Sequence, residues 1–158
     1  HGIFGKMTNF NIATNSPLII KVPGSNSNGK IANAIVETVD IYPTLAELCE
    51  FKTPDDVDGK SLVPILKNPR EIGKQFARSF YYRKNALGKT IKTDQYRVVR
   101  WASEKDSTLA IELYDHLKDP HENVNISSDN VALTDSLLTQ MASLKFLDDD
   151  VNFAKGWE

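Results

Sequence analysis

Few side chains in this 158-residue sequence combine reactive chemistry with suggestive spacing. Lys6 lies in the opening stretch His1-Gly2-Ile3-Phe4-Gly5-Lys6-Met7-Thr8-Asn9-Phe10, whose glycines and small polar residues read as a loop with special backbone geometry. Loops of this kind tend to sit beside sites. Taken alone, Lys6 is an ordinary exposed lysine. His116 and His121 flank Asp119-Pro120, but a metal needs convergent ligands and these lie in a turn after a strand. Asp55, Asp56 and Asp58 lack the glycine and closing glutamate of a calcium loop and read as solvated. No metal site is therefore expected within the sequence. Asp115, Asp119 and Glu122 read as turn and cap residues that accept backbone N–H groups. Arg83, Lys84, Lys89, Lys92, Arg97 and Arg100 read as the solvated face of a sheet. The functional alternative is that Arg83 or Lys84, at a strand end, reaches over a pocket rim towards an anionic substrate.

The elements that would position these groups follow from composition and periodicity. Apolar residues make up 41% and charged residues 25%, with 19 Lys+Arg against 21 Asp+Glu. That is a globular composition, not a disordered one. A net charge of -2 lacks the basic excess of a nucleic-acid binder. No apolar run approaches the ~18 residues of a membrane span. Cys49 is the only cysteine, which excludes an internal disulfide framework or a cysteine-rich zinc site, and it is expected to be a small core residue. The chain begins with His, not Met, and is expected to have lost an N-terminal part.

Pro17-Leu18-Ile19-Ile20-Lys21-Val22 is a branched apolar run suited to a strand buried on both faces. Val36, Val39, Tyr42, Leu45, Leu48 and Cys49 recur at helical spacing, which predicts a helix over 40–49 with Asp40 as N-cap and Pro43 in the first turn. A short helix or turn is expected over 61–67. Strand patterns follow at 78–83, 89–93, 95–101 and 110–115, with a turn at Gly88, and their short connections suggest an antiparallel meander. A final helix, capped by Asp129 or Asn130, carries Leu137, Leu138, Met141 and Leu144 on one face. The expected organisation is α/β: residues 1–68 as the end of an α/β core, and residues 69–158 as a small antiparallel sheet with a helix on one face.

Three stretches resemble the sulfatase family, in particular its choline-sulfatase and iduronate-2-sulfatase branch. They are His1-Gly2-x-x-Gly5-Lys6-Met7-Thr8-Asn9-Phe10 with Pro17-Leu18-Ile19-Ile20 and Pro23-Gly24; Val39-Asp40-Ile41-Tyr42-Pro43-Thr44-Leu45-Ala46-Glu47-Leu48 with Asp58-Gly59-Lys60-Ser61-Leu62; and Thr93-x-x-Tyr96-Arg97 with Glu112-Leu113-Tyr114-Asp115, Asp119-Pro120-x-Glu122 and Asn125. The resemblance implies the C-terminal portion of an alkaline-phosphatase-like sulfatase fold that hydrolyses a sulfate ester. The substrate would be a sulfated small molecule or sulfated carbohydrate. A formylglycine nucleophile and a divalent cation, usually Ca2+, would be carried by the missing N-terminal part of the same enzyme. Cys49, in Leu48-Cys49-Glu50, lacks the Cys-x-Pro-x-Arg context of that nucleophile. By family, the setting would be periplasmic, secreted or lysosomal.

By position Lys6 matches a family lysine that points its ammonium at the sulfate group. A fixed cation there stabilises charge developing on the bridging oxygen, and its three donors can bridge two sulfate oxygens. His1 is a weaker substrate-contact candidate, with Arg83 alongside it. Asn11 and Asn15 depart from the family, where an acidic residue and an arginine tie this loop down; here the two amides are expected to bond each other. The 158 residues alone are expected to be inactive. The alternatives are a phosphodiesterase or phosphonate monoester hydrolase on the same scaffold, or a catalytically silent binder of sulfated glycan.

Overall fold

The computed structural model describes residues 6–146. Four helices and four strands follow in chain order: α1 (Asn11–Thr14), a 3-10 turn (Thr38–Asp40), α2 (Ile41–Leu48), α3 (Val63–Lys67), β1 (Ala77–Arg83), β2 (Ala86–Lys92), β3 (Tyr96–Ser103), β4 (Thr108–Asp115) and α4 (Val131–Ala142). Contacts divide the chain into two compact units, residues 1–16 with 78–158 and residues 17–77. The division is not a single cut along the sequence: the opening loop belongs with the sheet.

In the first unit the four strands run in the order β1-β2-β3-β4 as an antiparallel meander. The turn between β1 and β2 falls at Lys84, which adopts a left-handed φ of 52°. The expected turn residue Gly88 instead sits inside β2, opposite Trp101. A Cβ on Gly88 would lie 2.8 Å from the Trp101 ring and 2.9 Å from Asn9 Nδ2, so the glycine is there for close packing. Ile91, Val98 and Leu113 are fully buried on one sheet face, where α4 packs through Leu137 and Met141. Asn130 occupies the N-cap position of α4, but its side chain donates to the Ile126 carbonyl instead of capping.

The strand's two-residue period puts Arg97, Val99 and Trp101 on the opposite face, together with Tyr114 and Glu112 of β4. Residues 6–14 cover this second face. Asn9 donates to the Gly88 carbonyl at 2.8 Å, and the Phe10 ring stands edge-on to Tyr114 at 6.1 Å. A sheet covered on both faces explains why three successive β3 residues, Arg97, Val98 and Val99, are all buried.

The second unit is held by a buried polar knot. Asp40 is fully buried, and its carboxylate accepts the backbone N–H groups of Glu37 and Lys60 at 2.8 Å each and pairs with the Lys74 ammonium at 2.6 Å. Its carboxylate therefore closes a capping box with Glu37 and does not cap α2 as expected. Thr44 accepts from the Leu62 N–H and donates to the Asp40 carbonyl. Burial on α2 falls on Pro43, Thr44 and Ala46, whereas Tyr42 and Leu45 from the expected stripe are exposed, as is Cys49. Thr44, which satisfies the Leu62 N–H, thus lies on the buried side of the helix. Residues 17–22 form no strand, and Ile19 is 92% exposed. A strand buried on both faces needs neighbours on both sides, and none of the described residues pairs with it.

Candidate functional site

A pocket of ≈ 320 Å³ opens between the loop and the second sheet face. Met7, Thr8, Asn9 and Phe10 form one side; Tyr81, Arg83, Arg97, Trp101 and Glu112 form the other. Glu112 accepts from Trp101 Nε1 at 2.9 Å and from the Tyr114 hydroxyl at 3.4 Å. Burial, reinforced by the Glu112 charge, pushes the Tyr114 phenol up to about 12, so it remains a donor at ordinary pH.

The sequence-predicted residues occupy different places around this pocket. Arg83 is exposed and contributes to the lining. Lys84 does not line it. Lys6 directly precedes the lining residue Met7 but is itself exposed outside the pocket, donating from Nζ to Ser16 Oγ at 3.1 Å. A hydroxyl partner orients the ammonium without neutralising it. His1 lies outside the described residues. Asn11 Oδ1 is buried without a hydrogen-bond partner among the described residues, so the expected bond between the Asn11 and Asn15 amides is not formed; Asn15 is exposed, and its backbone N–H donates to the Asn11 carbonyl.

Arg97 overturns the reading of a uniformly solvated basic sheet face. It is 1% exposed, its Nε donates to Glu122 Oε1 at 2.5 Å, and its guanidinium lies 5.1 Å from the Phe10 ring centroid and 4.8 Å from that of Tyr114. Its two terminal nitrogens have no hydrogen-bond partner among the described residues, so the two aromatic faces supply what stabilisation they receive.

Glu122 is the other residue whose importance the residue-level reading missed. It is 3% exposed and accepts from three directions: Arg97 Nε, His116 Nε2 at 2.7 Å and the backbone N–H of Asn11 at 2.8 Å. Burial pushes its carboxyl up, but the hydrogen bonds from His116 and Arg97, the Arg97 charge and the Asn11 N–H outweigh that and hold it below the usual glutamate value. Tyr96-Arg97 and Asp119-Pro120-x-Glu122 both belong to the family-like stretches, and that was the available signal. Nothing in their local spacing says that the two meet. Asp119 does act as a turn residue, with Oδ2 accepting the N–H groups of Asn123 and Val124.

Among the described residues no group of three His, Cys, Asp or Glu side chains is placed to hold a metal ion.

Comparison with known proteins agrees with this architecture. The family model of the N-sulphoglucosamine sulphohydrolase C-terminal region matches residues 1–146. An N-acetylglucosamine-6-O-sulfatase of Bacteroides thetaiotaomicron is 29% identical over 136 residues, covering 80% of this chain and 24% of that protein. Arylsulfatase K of Canis lupus familiaris is 30% identical over 156 residues, covering 91% of this chain and 28% of that protein. Among solved structures, a protein in complex with its substrate D-glucosamine-2-N,6-O-disulfate aligns with a TM-score of 0.55 at 24% identity, over 70% of this chain and 25% of that one. That likeness is one of fold, the α/β alkaline-phosphatase-like fold of sulfatases. The chain spans about a quarter of the length of the curated relatives it matches.

Proposed function

Because the chain belongs to the N-sulphoglucosamine sulphohydrolase C-terminal family, we propose that it is the C-terminal part of a sulfuric ester hydrolase acting on a sulfated carbohydrate. The observation that carries this reading is the family match over residues 1–146. The names of the relatives, which include an N-acetylglucosamine-6-O-sulfatase and a protein bound to a sulfated glucosamine, support the carbohydrate class.

In this reading Lys6 contacts the sulfate group. Hydrolysis exchanges the bond between sulfur and the bridging oxygen for a bond from sulfur to an oxygen that comes from water; the electron pair of the broken bond moves to the bridging oxygen, which leaves as the alcohol with a proton from that water. An ammonium beside the oxygen is attracted more strongly as charge builds on it, so its stabilisation grows towards the transition state. Arg83, on the pocket rim, supplies a second positive charge for an anionic sugar. Among the described residues the exposed Lys6 ammonium is bonded to Ser16 Oγ, a neutral partner that a sulfate can displace. The divalent cation and formylglycine implied by the family resemblance belong, in this reading, to residues outside this chain: Cys49 lacks the required sequence context. No step is assigned to either.

The test is an assay of the whole enzyme on glucosamine 6-sulfate, an aryl sulfate and an aryl phosphate diester. Sulfate release is expected from the first two, and Lys6→Ala is expected to lower turnover by on the order of 10²-fold. Near-wild-type turnover in Lys6→Ala would remove Lys6 from the mechanism, and preference for the diester would replace the sulfatase with a phosphodiesterase.

A further inference from the structure

Among the described residues, the Lys6 end of the loop is lightly held. Its main chain is turned by a Thr8 N–H to Lys6 carbonyl bond at 2.9 Å, and the ammonium rests on Ser16. The loop is fixed to the sheet further along, at residues 9–11. Asn9 is 3% exposed and bonded on both sides of its amide, to the Gly88 carbonyl and, as acceptor, to the Ser79 hydroxyl at 3.3 Å. Phe10 lies against Arg97 and Tyr114. The Asn11 N–H then donates to Glu122, 111 residues away in the chain.

Glu122 is built for that role. It adopts a left-handed φ of 56°, a conformation that disfavours a side chain with a Cβ and persists only where the surroundings hold it. Oε1 takes the Arg97 and His116 donors, which leaves Oε2 for Asn11. Arg97 is in turn set within β3 and flanked by two rings, so the carboxylate cannot swing without breaking a buried ion pair.

We propose that Glu122, held by Arg97 and His116, is the positioning residue for Lys6: by fixing the Asn11 amide it sets where the loop delivers the ammonium. This rests on the reading that Lys6 contacts the sulfate. Glu122 touches no substrate and acts only through the loop.

The proposal is tested in the whole enzyme with an aryl sulfate, using Glu122→Gln and Asn11→Pro, each alone and combined with Lys6→Ala. Asn11→Pro is the cleaner change. It removes the one N–H that Glu122 accepts from the loop and leaves the Arg97–Glu122–His116 cluster intact. Position 11 opens α1, where proline is tolerated, and Phe10 has φ -61° and ψ 147°, the extended geometry that a following proline requires. Displacement of a reacting group by about 1 Å can lower rate by roughly 10²-fold. Both variants are therefore expected to lose roughly 10-fold to 100-fold in kcat/KM, mostly in kcat, with unchanged circular dichroism. In the Lys6→Ala background they should change little, because there is no ammonium left to misplace.

Losses that simply multiply with that of Lys6→Ala would show a general structural role and overturn the proposal. So would full activity in Asn11→Pro while Lys6→Ala is impaired, which overturns the positioning role alone. Wild-type turnover in Lys6→Ala would overturn the sulfate-contact reading beneath it. If Glu122→Gln fails to fold, the Asn11→Pro cycle decides by itself.

Discussion

The sheet unit and the segment over residues 17–77 solve the same problem differently. In the first, strand pairing satisfies the backbone and both faces are covered, so Val98 and Leu113 reach 0% exposure. Even the deeply buried cation Arg97 is matched by a carboxylate and two rings. In the second, the described residues contain no strand, and the centre is a charged knot of Asp40, Glu37 and Lys74 with Thr44 beside it. Apolar burial there is limited to Pro43, Ala46, Leu62 and Val63, while Ile19, Tyr42, Leu45 and Phe51 are exposed. A sheet buries apolar area while satisfying its own backbone, whereas short helices joined by long loops need side-chain acceptors for theirs.

The sharpest way to break this comparison is to cut the same side chain in both units. Leu113→Ala leaves a cavity in a closed core and is expected to lower stability by ~2–5 kcal/mol. Leu45→Ala removes a side chain that is 54% exposed and should stay within about 0.5 kcal/mol of wild type. Urea midpoints check both; equal losses would mean that the exposed stripe on α2 is packed in solution.

A smaller effect is expected from Gly88→Ala. The new methyl meets the Trp101 ring and Asn9 Nδ2 inside 3 Å, so overpacking should lower stability by ~1–3 kcal/mol. It should also raise the hydrogen-exchange rate at Asn9, because the loop must lift to make room. Unchanged exchange there would show that the sheet, and not the loop, gives way.

The smallest effect comes from acid. Glu122 is held below the usual glutamate value, so its ionised form favours the folded state. That contribution is fully present above the unfolded-state value of about 4.3 and is lost as pH falls through the lower folded-state value. Thermal melts over the acid range should therefore fall more steeply in wild type than in Glu122→Gln. Parallel curves would mean that Glu122 titrates as if unpaired.

How far the fold was legible follows from where the information sits. The branched and aromatic residues of Tyr96-Arg97-Val98-Val99-Arg100-Trp101 and its neighbours, with their short connections, placed the meander within a few residues, and the Leu137, Leu138 and Met141 spacing placed α4. The burial of Arg97 was not legible, because it depends on a loop from the other end of the chain covering that face. The lack of a strand at residues 17–22, with Leu18 and Ile19 exposed, was not legible because apolar content states what a segment can bury, not whether partners arrive. For the candidate site, the sequence singled out Lys6 and Arg83 as candidates; Arg83 lines the pocket, and Lys6 lies outside it, next in sequence to the lining residue Met7.

By itself, then, the sequence determined the strand meander, the helix behind it and the family, since these rest on short-range periodicity and on motifs read in order. The tertiary structure alone decided that Glu122 meets Asn11 and Arg97, that Gly88 makes room for Trp101, and that α2 turns its apolar stripe outward. Those outcomes depend on contacts between residues far apart in the chain, which no local spacing encodes.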